Sequence, residues 1–239
     1  MQAGHARLKA RWFKYDGRQL ELLGREDTST GHVIREIFKE KVYAPVRGLP
    51  PPRSVLDIGA HLGFASAYFR LMYPEATIFC AEPDPDSFAI LSRNAERIGN
   101  CHAFNVGLFD KDTTAGFNAA RISVLSSLFP FDGGRIATNA IEVRLRHAGA
   151  FAAELRERFG VPGFDLIKMD TEGAELPILA ALGDLVAAAG VIHLEFHSHA
   201  DRRTIDGLLC RTHRLFHGRI EQPNRGTLTY AATHLLPGA

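Results

Sequence analysis

A short segment in the first third of the chain carries an acidic residue and two glycines at a spacing that can hold a small molecule. Asp57, Gly59 and Gly63 form the pattern D-x-G-x-x-x-G. A dinucleotide site needs G-x-G-x-x-G so that backbone amides can approach a pyrophosphate, but His61 and Phe64 stand at the second and third glycine positions. The pattern therefore favours a phosphate-free ligand with a positive or donor-rich end. S-adenosylmethionine, which has an ammonium and a sulfonium group, fits better than NAD.

A second acidic residue, Glu82, follows the glycine turn after roughly 20 residues, where nucleotide-binding α/β folds place the carboxylate that receives ribose hydroxyls. We therefore predict that Glu82 binds a ribose. Its alternative role is to cap the following helix, although Asp84 and Asp86 lie nearer the start of that helix.

The third predicted strand, Cys101–Val106, runs into a short polar and small-residue segment. In an open α/β sheet the end of this strand borders the nucleoside base. We expect Gly107 and Leu108 to pack against an adenine ring and Asn105 to form a hydrogen bond near it.

Imidazoles and a carboxylate alternate along a later run of the chain. His193, Glu195, His197 and His199 would share one face of a regular strand, and these are metal-ligating residue types. However, residues two apart on a strand are about 6.5–7 Å apart, too far for one ion to collect them all. We therefore expect no metal, and we expect Glu195 and His197 to line a substrate site.

The candidate groups lie between elements that alternate as strand and helix. The apolar runs Val55–Ile58, Ala76–Ala81 and Phe164–Met169 predict buried parallel strands, and the segments between them have helical periodicity. This order predicts an open α/β sheet that binds its ligand at the carboxyl ends of the strands. Two strands joined by the turn Pro223–Gly226 are expected to complete one edge.

Two segments interrupt this alternation. Residues 1–49 predict a hairpin followed by a helix, which either covers the cofactor pocket or only closes one edge of the core. Residues 111–147 predict an inserted loop and hairpin that reaches over the active site. In that insert, Ser126 or Ser127 either contacts the substrate or is simply solvated.

Length and composition bound the class of protein. The 239 residues suit one domain, 1–239, with the α/β core in 50–239, since no Gly/Ser-rich linker divides it. The net charge is +1 without a basic block, which argues against a nucleic-acid partner. No apolar run has the length of a membrane span, and the three cysteines form no C-x-x-C pair. We expect a cytoplasmic protein with a small-molecule substrate and leave a homodimer open.

Four motifs in this order resemble the FkbM-type methyltransferases, a family within the class I S-adenosylmethionine-dependent superfamily. They are Asp57–Gly63, Ala81–Asp84, Asp165–Glu175 and Glu195–His197, preceded by a similar helix around Val33–Phe38. The resemblance implies a Rossmann-like class I methyltransferase sheet, α/β and mostly parallel, with an antiparallel strand at one edge and helices on both faces. The N-terminal hairpin and helix and the inserted hairpin would be additions to that sheet.

The resemblance also completes a set of candidate site residues. The cofactor contacts are expected at Asp57, Gly59, Ala60, His61, Gly63, Phe64, Glu82, Pro83, Asn105, Gly107, Leu108 and Asp170. The acceptor contacts are expected at Glu195, His197, Ser126 and Ser127. Asp170 resembles the family's acid at the end of the fourth strand, near the methyl group.

Members of this family are mostly known or presumed O-methyltransferases of sugars, polyketides and other natural products. A hydroxyl acceptor needs a base, so we predict that His197 accepts or relays its proton, while Asp170 or Glu172 orients the substrate. His197 could instead be structural, Glu172 could complement a helix dipole, and Glu175 is expected to be solvated or capping. The alternatives are an N-methyltransferase acting on a small amine, a NAD-linked oxidoreductase and a non-catalytic nucleoside-binding protein.

Overall fold

The computed structural model describes residues 7–118 and 140–236, in which strands and helices alternate through most of the chain. The strands are β1 (Leu8–Tyr15), β2 (Arg18–Arg25), β3 (Ser54–Ile58), β4 (Thr77–Ala81), β5 (Cys101–Phe104), β6 (Gly107–Phe109), β7 (Thr113–Asn118), β8 (Ala140–His147), β9 (Leu166–Met169), β10 (Val191–Phe196), β11 (His213–Gln222) and β12 (Arg225–Ala232). The helices are α1 (Thr28–Ile34, continued by a π-helical segment, Arg35–Glu40), α2 (Phe64–Met72), α3 (Pro85–Ile98), α4 (Ala148–Phe159), α5 (Glu175–Leu182), α6 (Asp184–Ala188) and α7 (His199–Leu209), with a final 3₁₀ turn, Thr233–Leu235.

The central sheet has the order β11-β12-β10-β9-β3-β4-β5. The strands from β10 to β5 pair in parallel, and β12 pairs antiparallel with both β10 and β11. This confirms the predicted α/β, Rossmann-like class, with one refinement. The antiparallel strand lies one position in from the edge, because β11 pairs with its outer side.

Helices cover both faces of this sheet. Every residue of β3 is buried, as expected for a parallel strand between two helical layers. Leu56 belongs to an apolar core shared with α4, α5 and α7, while Val55 belongs to a second core shared with α2 and α3. Neighbouring residues of a strand point to opposite faces, so these cores lie on opposite sides of the sheet.

The N-terminal hairpin and helix are confirmed and packed onto the second core. Asp27 caps α1 by accepting a hydrogen bond from the Thr30 amide at 2.7 Å. The buried Asn94 side chain of α3 accepts from the Leu23 amide at 2.8 Å and donates to the carbonyls of Leu23 and Leu62 at 2.9 and 2.7 Å. One side chain therefore joins the hairpin, α3 and the loop before α2.

The third strand and the insert differ in detail from the prediction. The predicted strand 101–106 ends at Phe104, because the Asn105 side chain turns back and donates to the carbonyls of Glu82 and Pro83 at 2.9 and 3.1 Å. The next three residues form β6, which belongs to a separate sheet of order β6-β8-β7. In it, β7 and β8 pair antiparallel, as expected for an inserted hairpin. The serines predicted to touch the substrate, Ser126 and Ser127, lie outside the described residues.

Among the residues that the structure describes, no helix has the length and apolar character that crossing a membrane requires. The cytoplasmic location, the absence of a nucleic-acid partner and the open question of a homodimer stay predictions.

Candidate active site

A cavity of about 610 Å³ lies at the carboxyl edge of the central sheet, where ligands bind in open α/β folds. Its wall comes from the loops after β3, β4 and β9, the end of β10, the start of β6, the α1 region with the segment that follows it, and the β11–β12 hairpin. The predicted residues in the wall are Gly59, Ala60, His61, Phe64, Glu82, Pro83, Gly107, Leu108, Asp170, Glu172 and Glu195.

The glycine turn after β3 has a shape that only glycine allows at its first position. Gly59 has a φ of +73°, and a Cβ there would lie 1.9 Å from the Asp170 carbonyl oxygen. The amides of Gly59 and Ala60 both donate to the Ala81 carbonyl, at 3.0 and 3.1 Å. Those amides are therefore engaged with the sheet, and they do not form the open nest that a pyrophosphate needs.

The Glu82 carboxylate is held rigidly at the end of β4. One oxygen accepts a hydrogen bond from the His61 amide at 2.7 Å, and the other accepts one from the Asp84 amide at 2.9 Å. Burial raises the pKa of Glu82 to about 7, against the opposing effect of these two amide donors. The carboxylate therefore has one defined orientation and titrates close to neutral pH.

Asp57 lies behind the cavity wall, which corrects the expectation that it meets the ligand directly. It is completely buried; one oxygen accepts a hydrogen bond from the Ser66 hydroxyl at 2.6 Å, and the other lies 3.1 Å from the Lys168 ammonium. Both oxygens thus contact protein groups. Asp57 links β3 to α2 beneath the glycine turn instead of binding the ligand.

Lys168 connects the glycine turn to the acid that follows β9. Its ammonium, 2 % exposed, donates to the Gly59 carbonyl at 2.6 Å and lies 3.9 Å from an Asp170 oxygen. Burial lowers the pKa of Lys168, but Asp57 and Asp170 raise it more, so the net shift is upward and the ammonium stays charged. A buried cation therefore holds two anions and one turn carbonyl in fixed positions.

Asp170 and Glu195 form an acid pair in the cavity wall, in which the Glu195 side chain is buried and that of Asp170 is 31% exposed. Burial raises the pKa of both groups. Lys168 and a hydrogen bond from Glu195 nevertheless bring the pKa of Asp170 below its usual value, whereas the Asp170 charge drives that of Glu195 well above it. Asp170 is therefore the more acidic group of the pair, and Arg225, which contacts Glu195, favours the charged form of Glu195 against the effect of the Asp170 charge.

His197 lies among carboxylates just beyond β10. Its Nε2 is 3.2 Å from a Glu172 oxygen and 3.8 Å from a Glu195 oxygen, and its Nδ1 is 3.5 Å from Glu175. These are electrostatic contacts, since neither ring nitrogen has a well-aligned hydrogen-bond partner among the described residues. Burial lowers the pKa of His197, but the carboxylates raise it overall to about 11.

This environment corrects the predicted role of His197. At neutral pH the ring is an imidazolium, which has no lone pair with which to accept a proton. The side chain also lies behind Glu172 and Glu195 and is not part of the cavity wall. His197 is therefore placed to orient Glu172.

The turn between β9 and α5 presents Glu172 to the cavity. Glu172 has a φ of +55°, uncommon for a residue other than glycine, and Gly173 follows with a φ of +108°. Glu175 stabilises this turn by accepting hydrogen bonds from the amide and hydroxyl of Thr171 at 2.9 and 3.0 Å. It is 2 % exposed, so the expected capping role fits but the expected solvation is wrong.

Asp170, Glu172 and His197 each offer one ligand atom to a metal ion, and these atoms lie within 4.8 Å of one another. The group arises because the β9–α5 turn and the end of β10 are neighbours in the sheet, not through alternation along one strand. His193 points elsewhere: it is buried, lies 2.9 Å from the Thr229 hydroxyl, and has a pKa lowered by burial to about 3.

Comparison with known proteins decides the family. The methyltransferase FkbM domain matches residues 57–222, which is more than half of the chain. This chain belongs to the FkbM methyltransferase family.

Individual relatives of this methyltransferase are distant. The methyltransferase sdnD of Sordaria araneosa is 28% identical over 178 residues, covering 64% of this chain and 68% of that protein. The 2-O-methyltransferase NoeI of Sinorhizobium fredii is 26% identical over 168 residues, covering 66% and 68%. The crystal structure of methyltransferase FkbM from Methylobacillus flagellatus KT superposes with a TM-score of 0.52 at 16% identity, covering 75% of this chain and 43% of the other. That structure supports the fold.

Among the described residues of the methyltransferase, four of the predicted site residues do not line the cavity. They are Asp57, Gly63, Asn105 and His197. Gly63, at a φ of +86°, begins α2, and a Cβ there would lie 2.9 Å from a Leu91 methyl carbon. Asn105 braces the backbone that carries Glu82, as described above. These residues shape the site from behind.

Sequence reasoning missed several residues of the methyltransferase site. Lys168 could have been found, because it is a charged residue inside the apolar run Leu166–Met169. Glu36, Glu221 and Arg225 also line the cavity. Glu36 is far along the chain from the other two, and no motif or spacing in the sequence connects it with them.

Proposed function

We propose that this methyltransferase moves a methyl group from S-adenosylmethionine to a hydroxyl group of a small molecule. The single observation that carries the proposal is the cavity at the sheet edge. On one side it has a rigid carboxylate, Glu82, beside a glycine turn, and farther in it has a fixed anion, Asp170.

The cofactor side of the cavity fits this molecule. Glu82 can accept both ribose hydroxyls, while Gly107 and Leu108 supply apolar surface for the adenine. The turn at Gly59 leaves space where any side chain would collide with the backbone, and it offers no nest for a phosphate. These features support S-adenosylmethionine over NAD. When bound, the cofactor supplies a methyl group on a sulfonium, which leaves as a neutral thioether.

Asp170 is the residue best placed to handle the acceptor. It is ionised, it lines the cavity, and Lys168 and Glu195 hold it from two sides. We assign it to accept a hydrogen bond from the acceptor hydroxyl and to take up its proton as the new bond forms. Holding the hydroxyl in line with the methyl group supplies much of the remaining acceleration.

Two observations support oxygen over nitrogen as the acceptor atom. The relative NoeI is named as a 2-O-methyltransferase. In addition, the carboxylates around Asp170 would keep an amine at this position protonated, and a protonated amine has no lone pair for attack.

Binding and turnover test this proposal separately. Calorimetry should show binding of S-adenosylhomocysteine and none of NADH, and a labelled methyl donor should label a hydroxyl compound. Asp170→Asn should lower kcat by about 10²–10⁴-fold while keeping most of the affinity for S-adenosylhomocysteine. The control is Asp110→Asn, at an exposed site outside the cavity wall. Failure to bind S-adenosylhomocysteine would refute the cofactor, and normal turnover by the Asp170 variant would refute its role.

A further inference from the structure

We infer that the methyl acceptor carries a protonated amine in addition to the hydroxyl that is methylated, as an amino sugar or an amino alcohol does, and that its ammonium group binds between Glu36 and Glu221. This rests on the proposed function, since it concerns the part of the same cavity beyond Asp170. It goes further by naming the charge of the acceptor.

The charges in that part of the cavity do not balance. Four carboxylates line it, on Glu36, Glu172, Glu195 and Glu221, and Arg225 is the permanent cation among the described lining residues there. Arg225 is already committed: its guanidinium contacts Glu195 and lies 3.4 Å from a Glu172 oxygen. Its direct contacts therefore lie on the β9 and β10 side. Arg225 acts on Glu36, and Arg219 on Glu36 and Glu221, only at longer range, and within the described residues neither carboxylate forms an ion pair with an arginine.

Glu36 and Glu221 face the cavity from opposite segments, the π-helical segment and the end of β11. Within the described residues Glu36 forms its ion pair with His32, whose Nε2 is 3.1 Å away and whose side chain is 54% exposed. Burial raises the pKa of Glu36, and the charges of Glu221 and Asp170 add to this shift, whereas His32 and Arg225 oppose it. Within the described part of the chain Glu221 forms no ion pair. Two carboxylates that repel each other across a cavity form a site for a cation.

A cationic group is favoured over the other acceptor types by this arrangement. A uronic acid would bring a further negative charge to a negative wall and would be repelled. A neutral polyol could donate hydrogen bonds, but it would bring no positive charge to the two carboxylates in a partly dehydrated site.

The test needs no knowledge of the acceptor. It uses nitrogen analogues of S-adenosylmethionine in which the transferable methyl is replaced by a short alkyl arm ending in an ammonium, a hydroxyl or a carboxylate. Each arm extends from the cofactor position into the acceptor part of the cavity. Affinities are measured by calorimetry on the full chain and divided by the affinity of the same protein for S-adenosylhomocysteine.

We expect the ammonium arm to bind about tenfold more tightly than the hydroxyl arm, and the carboxylate arm to bind most weakly, because a charge-assisted contact is worth about one such factor. Glu36→Gln and Glu221→Gln should each reduce the preference for ammonium, and the double variant should abolish it. Glu157→Gln, at an exposed position on α4, should leave it unchanged.

The possible outcomes distinguish a failure of the inferred ammonium site from a failure of the proposed function. Equal binding of the three arms, or a preference that survives the double variant, would overturn the inference and leave the cofactor assignment intact. Failure of S-adenosylhomocysteine and of all three analogues to bind would overturn the proposed function, and the inference with it. Melting temperatures of the variants within a few degrees of the parent would show that loss of folding does not explain a lost preference.

Discussion

The two ends of the cavity are built in different ways. At the cofactor end, backbone geometry fixes the groups: Gly59 adopts a left-handed conformation, and two amides hold Glu82. At the acceptor end, long charged side chains from distant segments, such as Glu36, Glu221 and Arg225, form the wall. A backbone-built end resists change, whereas an end made of side chains can alter its ligand by single substitutions.

The first prediction tests the cofactor end by adding a side chain to the glycine turn. Gly59→Ala should lower the affinity for S-adenosylhomocysteine at least about hundredfold, because the new Cβ would lie 1.9 Å from the Asp170 carbonyl oxygen and the turn must move. Calorimetry measures the loss. Gly48→Ala is the matched control: its φ is also positive, at +88°, but a Cβ there has open space. Equal losses in the two variants would show that conformational strain, not the close approach, is what matters.

The second prediction concerns the cation beneath both ends. Lys168→Met should lower the free energy of unfolding by about 3–5 kcal/mol, because the completely buried Asp57 and the partly exposed Asp170 would lose their compensating charge. Denaturant unfolding measures this change. Adding Asp57→Asn to Lys168→Met should recover part of the loss. A double variant less stable than Lys168→Met alone would show that the ion pair is not the main contribution of Lys168.

The third prediction uses pH to separate the two ends. Ribose hydroxyls donate to the ionised form of Glu82, so protonation competes with cofactor binding. With a pKa of about 7 in the free protein, the affinity for S-adenosylhomocysteine should be constant above neutral pH and fall by up to about tenfold per unit below it. Calorimetry between pH 5.5 and 8.5 tests this. Glu82→Gln should bind weakly at all pH values; a pH dependence that persists in this variant would assign it to another group.

The smallest expected effect concerns metal ions at the acceptor end. Methyl transfer should change less than about twofold after chelation of divalent cations, because Lys168 already lies beside Asp170, and His197 and Arg225 already lie beside Glu172. Turnover before and after chelator treatment gives the answer. Loss of activity that is restored by one added divalent ion would contradict this prediction. It would show that Asp170, Glu172 and His197 bind a metal ion at the acceptor end.

The same contrast explains how much of the molecule the sequence could predict. The sheet, the glycine turn and Glu82 followed from local signals, because apolar runs, turn glycines and an acid after a strand each report on their immediate surroundings. The break after Phe104 was missed because it depends on where the Asn105 side chain finds carbonyl partners.

The role of His197 could not be predicted for a different reason. Its residue type suggests a base, but its protonation state depends on Glu172 and Glu175 from another turn of the chain. Likewise, the direction in which Asp57 points depends on Lys168, which is more than a hundred residues away. Residue type and spacing identify candidates, whereas contacts between distant segments decide what each candidate does.

The hydrogen bonds of Asn94 have a consequence for exchanging parts between relatives. The segment shared with the family begins at Asp57, yet Asn94 fastens that segment to Leu23, and α1 supplies part of the acceptor wall. The hairpin β1–β2 and α1 therefore form one structural unit with the segment shared by the family. In a chimera that combines one member's shared segment with another member's N-terminal region, the buried Asn94 side chain would meet a backbone that it does not fit. The two parts of the acceptor wall would also come from proteins with different substrates. Substrate preference should therefore travel with residues 7–236 as a block, since Arg225 also lines the acceptor end.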